Sequence, residues 1–408
     1  MSKNIINKLN MVLIIKKKFL FKFKNIFYKT IRNKSFDTVI NKSFNTVTNI
    51  KQVIKNKNLK TYYTKKKKKI AFKLTDNTEK KEIIKFDNFN YGIINDVYTI
   101  PNFEYQIFKN NLISNYKINK KNAIYLKDYI VNRNAKRKLL KNIFINKIIK
   151  IENGISVNSR FSSNYIHFML EHAPIIFFFI HKIKLKENFK ILLNENIYES
   201  VKELVKIINN DSDNNVILMK DNETYKIKNL WLSDPSFTWG IEDTNLKNII
   251  PYKFQFDLIK DFREYIIKKV LNKKTYPKKI YINFKSNYRK FINQEELIDI
   301  LLKNNYFIID PLKLTFEEQM NYFFKANKII SCWGAANANL LFSNNSEVSM
   351  IVINKKYSCI RAWSLIKSIS SFNLNYYLAD TVYEKSEAPH QSDFAIDINN
   401  FIKKIKLY

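Results

Sequence analysis

His167 and Glu171 stand four positions apart in the stretch Asn164-Tyr165-Ile166-His167-Phe168-Met169-Leu170-Glu171. On a helix, residues at i and i+4 share a face. A histidine held by a carboxylate suits general-base work on a hydroxyl group. A histidine packed into an aromatic-rich core helix fits the same residues, and spacing does not separate the two readings. His172 is offset from Glu171 by about 100° round a helix, so it is expected to face elsewhere.

A second constellation is Cys332-Trp333-Gly334-Ala335-Ala336-Asn337. It reads as strand, small-residue turn and helix start. Small residues let the backbone approach a ligand, and helix N-terminal N–H groups attract phosphate. The whole chain holds 4 glycines, which makes Gly334 conspicuous. A tight turn chosen for packing is the plainer alternative, because a single Gly is not a dinucleotide fingerprint. Two more strand ends carry polar chemistry: Ile282 to Arg289, and Asp310-Pro311. Arg289 fits a bidentate phosphate contact and fits a solvated surface charge equally well. Asp211-Ser212-Asp213 has the form of a metal-binding Asp-x-Asp, but its polar run from Asn209 to Asn215 reads better as a solvated loop. No metal and no cofactor is expected.

The elements that must position these residues follow from pattern. Gly154-Ile155-Ser156-Val157 reads as a strand, and Asn164 caps a helix running to His181. Ile191-Leu192-Leu193 and Val216 to Met219 read as strands around a helix from Tyr198 to Ile208. Alternating strands and helices predict parallel βαβ units from about 80 to 235. Pro235, Gly240 and Pro251 mark a connection. A helix is predicted over Phe256 to Leu271. The region 278–353 is the clearest. It predicts strands at Lys279 to Ile282, Phe307 to Ile309, Ile329 to Cys332 and Val348 to Ile353. Capping boxes are predicted at Asn293/Glu296 and Thr315/Glu318, and a helix is predicted from about Asn337. This is the alternation of a doubly wound nucleotide-binding domain, whose ligands sit beyond the carboxyl ends of the strands.

Composition bounds the rest. The 408 residues carry a formal net charge of +35, and 46% are hydrophobic, which excludes wholesale disorder. The charge suggests an anionic partner, but a surplus of Lys, Asn, Ile, Phe and Tyr is also what an AT-rich coding sequence produces. Two cysteines, Cys332 and Cys359, offer no disulfide framework or metal spacing. No apolar run approaches the length of a spanning helix. Residues 1–75 hold a dense run of Lys and Arg and a single acid, Asp37. This basic segment allows three readings: peripheral contact with an anionic membrane, organelle targeting, or a flexible tail. The expected organisation is a tail over 1–75, an acceptor-side α/β domain over 76–250 and a nucleotide-binding domain over 251–408, in a cytoplasmic protein.

Taken in order, several of these pieces resemble glycosyltransferase family 61. They are Lys279 to Ile282, Arg289, Asn293 to Leu297, Ile309-Asp310-Pro311, Phe316 to Gln319 and Gly334 to Phe342. Asn164 to Glu171 resembles the family's N-terminal N-Y-x-H-x-x-x-[DE] signature, and His390 to Asp397 its C-terminal ending. The likeness covers about residues 150–408. It implies a GT-B-like α/β fold, with two Rossmann-like domains facing a cleft. It also implies an inverting, metal-independent transfer from a nucleotide-sugar donor to a glycan or glycoconjugate acceptor, with no nucleic-acid partner. By position it places His167 and Glu171 as the catalytic pair. It places Asn164, Lys285, Arg289, Asp310, Trp333, Gly334, Ala335, Ala336, Asn337 and Asn339 against substrate. The chain departs from the family at two points. Trp333 stands where many members have His, and Asn283-Phe284 stand where many have Ser-Arg, with Lys285 a candidate to supply the charge. A basic nucleic-acid-binding protein and a catalytically dead relative serving as scaffold are the rival readings.

Overall fold

The computed structural model describes residues 46–49, 60–63, 67–73, 77–85, 88–101, 106–108, 111–114, 147–158, 162–185, 188–210, 215–238, 253–353, 360–383 and 392–407. Asp211-Ser212-Asp213, Cys359 and His390 lie outside them.

The first sheet is mixed. Its strands are β1 (Thr46–Asn49), β2 (Lys60–Tyr63), β5 (Phe89–Thr99), β6 (Gln106–Phe108), β7 (Asn111–Ser114), β8 (Lys147–Ser156), β9 (Lys190–Asn194), β10 (Val216–Met219) and β11 (Glu223–Ser233). The order is β1-β7-β6-β5-β11-β8-β9-β10, with β2 also on β5. The β11–β8–β9–β10 pairs are parallel, as the alternation of strands and helices predicts. β11 runs antiparallel to β5, however, so the half is not built from parallel units alone. β11 had no signature in the sequence because Lys, Asn and Thr interrupt its apolar residues. Gly154 sits where a Cβ would come within 2.9 Å of Leu192 Cδ1 and 3.4 Å of Ile227 Cγ2. Its lack of a side chain lets β8 nest between β9 and β11.

Between β2 and β5 the chain makes an excursion, the antiparallel hairpin of β3 (Lys67–Lys73) and β4 (Glu79–Lys85). This hairpin lies against the other half of the molecule. Lys68 Nζ donates to Ser368 O at 3.0 Å and sits 3.6 Å from the Phe256 ring centre. Asn77 exchanges two hydrogen bonds with the backbone of Tyr376.

A helix-rich layer with a largely apolar, aromatic interior follows β8. The first helical run, α1, is Tyr165–His167, Phe168–His172, Ala173–Phe177 and Phe178–Lys182 in succession, the second and fourth segments being wide i→i+5 turns. Asn164 caps it as expected, accepting from Ile166 N at 3.2 Å. Next come α2 (Glu199–Ile208) and α3 (Phe256–Val270). The short pair β12 (Phe237–Thr238) and β13 (Lys253–Phe254) leads into α3.

The second sheet is wholly parallel: β14 (Lys279–Ile282), β15 (Phe307–Ile309), β16 (Lys328–Cys332), β17 (Asn344–Val352) and β18 (Ser371–Leu378), ordered β15-β14-β16-β17-β18. Its helices are α4 (Gln294–Lys303), α5 (Phe316–Lys325), α6 (Ile360–Lys367) and α7 (Ile398–Lys404). Strand alternation fills both faces. Ile280, Ile282 and Ile329 enter one apolar cluster, and Tyr281 and Ile330 enter the other. The first cluster is continuous from Phe89 in one half to Tyr376 in the other.

Two local expectations differ from the structure. The Thr315/Glu318 capping box is formed, but Asn293 makes no cap bond to α4. Its amide instead exchanges two bonds with the backbone of Ile396, so tertiary pairing outcompetes the local cap. The helix after Gly334 starts at Ala335, earlier than expected, and is a tight i→i+3 turn through Phe342.

Candidate active site

The order of the second sheet sets where a ligand can sit. From β14 the chain moves outward to β15, then returns across β14 to β16 and continues the other way. The loops after β14 and β16 therefore diverge, and a crevice opens at their carboxyl ends. A cavity of about 400 Å³ occupies that place. Asn283 and Lys285 follow β14, Asp310 follows β15, and Gly334, Ala335 and Ala336 follow β16; all line it. The opposite wall comes from the first half: Tyr165 at the start of α1, and Tyr198, Glu199 and Ser200 at the start of α2.

Gly334 has φ −171° and ψ 174°, extended backbone open to any residue. A Cβ there would meet only Cys332 O, at 3.8 Å, an ordinary contact. Neither conformation nor packing within the chain demands glycine. The first intrahelical bond of the turn is Asn337 N to Gly334 O at 3.2 Å, so the N–H groups of Gly334, Ala335 and Ala336 precede its ladder.

Lys285 Nζ pairs with Asp310 Oδ2 at 2.6 Å. Asp310 Oδ1 accepts from Leu312 N at 3.2 Å, capping the turn that follows β15. Asp310 therefore holds both a backbone turn and the lysine. Arg289 donates through Nη2 to Trp333 O. Its guanidinium carbon lies 5.2 Å from the Phe284 ring centre and 5.5 Å from that of Trp333. Burial lowers its pKa from the ordinary arginine value, partly offset by the buried Cys332 thiol. Phe284 and Trp333 thus meet over one guanidinium, a cation–π arrangement. Trp333 stacks on the protein's own arginine.

Asn337 and Asn339 stand behind the wall. Asn337 Nδ2 donates to Cys332 O at 2.8 Å. Asn339 is fully buried, accepting from Tyr165 OH at 2.7 Å and donating to Gln319 Oε1 at 2.9 Å. Gln319 Nε2 in turn donates to Pro311 O at 2.8 Å and Leu314 O at 3.2 Å. One polar chain therefore ties α1 to the loops after β15 and β16. Burial pushes the Tyr165 phenol far above its usual range.

His167 Nδ1 lies 2.9 Å from Glu171 Oε1, with the carboxylate side chain 6% exposed and the imidazole 20%. The predicted pair is present, and a wide turn of the kind that recurs at functional sites follows His167. The pair is not among the residues lining the cavity. Tyr165 is, and two residues along a helix turn a side chain to nearly the opposite side. Asn164 is exposed at the helix start. His172 is buried. Burial first, and the neighbouring His167 second, drive its pKa down to about 3.

Residues 165–350 match the family model described as Glycosyltransferase 61. This region belongs to glycosyltransferase family 61. It runs from Tyr165 at the cavity's first wall through the whole of its second, and family 61 membership carries glycosyltransferase activity in general, with a donor and an acceptor. Among curated proteins no match is found. The family 61 region also contains cavity residues that sequence reasoning passed over: Tyr165, Tyr198, Glu199, Ser200, Phe284 and Gln319. For Tyr198 to Ser200 a signal existed, since they open the helix after β9 just as Gly334 opens the turn after β16. Tyr165 and Gln319 fall inside the stretches that carry the family resemblance, but neither was assigned a site role there.

Proposed function

We propose that this chain transfers a sugar from a nucleotide-sugar donor to a glycan or glycoconjugate acceptor, with inversion and without a metal ion, in a GT-B-like arrangement. The observation that carries the reading is the cavity at the carboxyl ends of β14, β15 and β16, closed by α1 and α2 from the other half. On this reading residues 251–408 hold the nucleotide and residues 76–250 present the acceptor. The basic run before them adds peripheral contact with an anionic membrane surface.

The acceptor oxygen attacks the anomeric carbon and forms the new C–O bond. The bond from that carbon to the diphosphate breaks, and the electron pair leaves with the phosphate oxygen. His167, oriented by Glu171, is assigned the acceptor proton; because the pair lies outside the cavity lining, this role requires the acceptor to reach the cavity past α1. The N–H groups of Gly334 to Ala336 stabilise the charge that develops on the diphosphate. Lys285 adds an ammonium at the same end, and Arg289 fixes the loop through Trp333 O. Asn337 and Asn339 support the wall from behind. Asn164 starts the helix that bears the base.

The test is a melting series of the full chain with nucleoside diphosphates and nucleotide sugars, each with a divalent metal and with chelator. A ligand at 100 times its dissociation constant adds about 2.7 kcal/mol of stability. The expected result is a shift for one nucleotide class that chelator leaves unchanged. A shift that needs the metal removes the metal-independent mechanism, and no shift with any ligand favours the scaffold reading. With the donor so identified, His167→Ala is expected to slow transfer by about 10²- to 10⁴-fold. Near-normal turnover rejects the base assignment.

A further inference from the structure

The two walls of the cavity differ in chemistry. One holds Gly334, Ala335 and Ala336, whose N–H groups precede the ladder of the turn, and the Lys285–Asp310 ion pair. The other carries an aromatic ring, a carboxylate and a hydroxyl on consecutive residues, Tyr198, Glu199 and Ser200. Tyr198 is 45% exposed, an open ring at the cavity wall, with Tyr165 edge-on at 6.4 Å between ring centres. Lys202 Nζ lies 2.6 Å from Glu199 Oε1, and the Glu199 side chain is 81% exposed. A carboxylate has about four acceptor sites, so this pairing leaves capacity for ligand hydroxyls.

Each wall holds one lysine–carboxylate pair, Glu199 with Lys202 and Asp310 with Lys285, so what favours a diphosphate at the Gly334 wall is the set of backbone N–H groups that precede the turn there. A sugar ring has the reverse preference: its hydroxyls donate to a carboxylate, and its C–H face covers an aromatic ring. We infer that Tyr198, Glu199 and Ser200 form the sugar-reading wall, taking the neutral polyhydroxylated end of the donor while its diphosphate lies against Gly334 to Ala336. This assignment rests on the nucleotide-sugar reading above. It gives the donor one direction across the cavity and places the choice of sugar on the first half of the chain, outside the parallel sheet.

The experiment is calorimetric titration of the full chain with two kinds of ligand: the nucleoside diphosphate that stabilises it best, and its sugar conjugates, one with a hexose and one with a pentose. The variants are Glu199→Gln, Tyr198→Ala and the ring-conserving Tyr198→Phe. Glu199→Gln and Tyr198→Ala are expected to weaken the nucleotide sugar about tenfold, the worth of one good polar or stacking contact. Both should hold the diphosphate within about twofold of wild type, because neither side chain belongs to the wall assigned to it. Tyr198→Phe is expected to bind both ligands as wild type does. Equal loss for both ligands assigns this wall to the base or phosphate and overturns the inference, and so does an unchanged affinity for both. A wild-type chain that binds neither ligand rejects the donor reading itself, and the assignment of the wall falls with it.

Discussion

Gly334 shows how a residue can matter without being needed by the fold. Its backbone is extended, and an added methyl group meets only Cys332 O at 3.8 Å. Gly334→Ala is therefore expected to change stability by less than about 0.5 kcal/mol. It should still weaken diphosphate binding, because the methyl stands where a phosphate would approach. Melting and titration of the same variant check both halves; unchanged affinity removes this loop from the site. His172 makes the opposite case, a titratable group used by the core. Its folded pKa of about 3 lies below the ordinary histidine value of 6.5, so the unfolded chain takes up a proton first as pH falls. Stability is complete above pH 6.5 and is lost toward pH 3, at about 1.4 kcal/mol per unit. His172→Met is expected to flatten that acid limb between pH 6.5 and 5 in a melting series. An unchanged slope assigns the acid sensitivity elsewhere.

Elements obeyed local chemistry where their neighbours allowed it. Thr315 and Glu318 form both bonds of their capping box at an exposed helix start. Asn293, of equal capping ability, is taken by the backbone of Ile396. Glu203 Oε2 from α2 also accepts from Phe316 N at 2.5 Å, so α5 is capped from two sides, one of them far away in sequence. Packing between strands is as strict. Gly154→Ala puts a methyl within 2.9 Å of Leu192 Cδ1. It is expected to destabilise the chain by about 1–3 kcal/mol, the range for overpacked cores. Denaturant unfolding measures this; a neutral result means β8 and β9 separate more freely than their register implies.

At the scale of the molecule, the halves are joined by more than a linker. One apolar cluster runs through both, the β3–β4 hairpin of the first lies on the second, and Tyr165–Asn339–Gln319 crosses between them. Tyr165→Phe leaves the buried Asn339 oxygen without that donor, at a cost of about 1–3 kcal/mol. Because the bond crosses between halves, the expected outcome is a lower midpoint for the whole cooperative transition. A loss confined to one of two separate transitions shows that the halves melt independently.

The second half was legible from sequence because its signals are local. The strands Lys279–Ile282 and Phe307–Ile309, the helix of Thr315 to Lys325 and the small-residue turn at Gly334 each follow from hydrophobic period and capping chemistry within a few residues. The pair His167–Glu171 was legible for the same reason, since helical spacing fixes it. β11 was not, because its place in the sheet depends on β5 and β8, which are distant in sequence. Nor was the sharing of Arg289 by Phe284 and Trp333, or of one cavity by Tyr198, Glu199 and Gly334. Periodicity names the face of an element, but which two faces meet is decided by the packing of all of them together. A cavity between two halves exists only once that packing is complete.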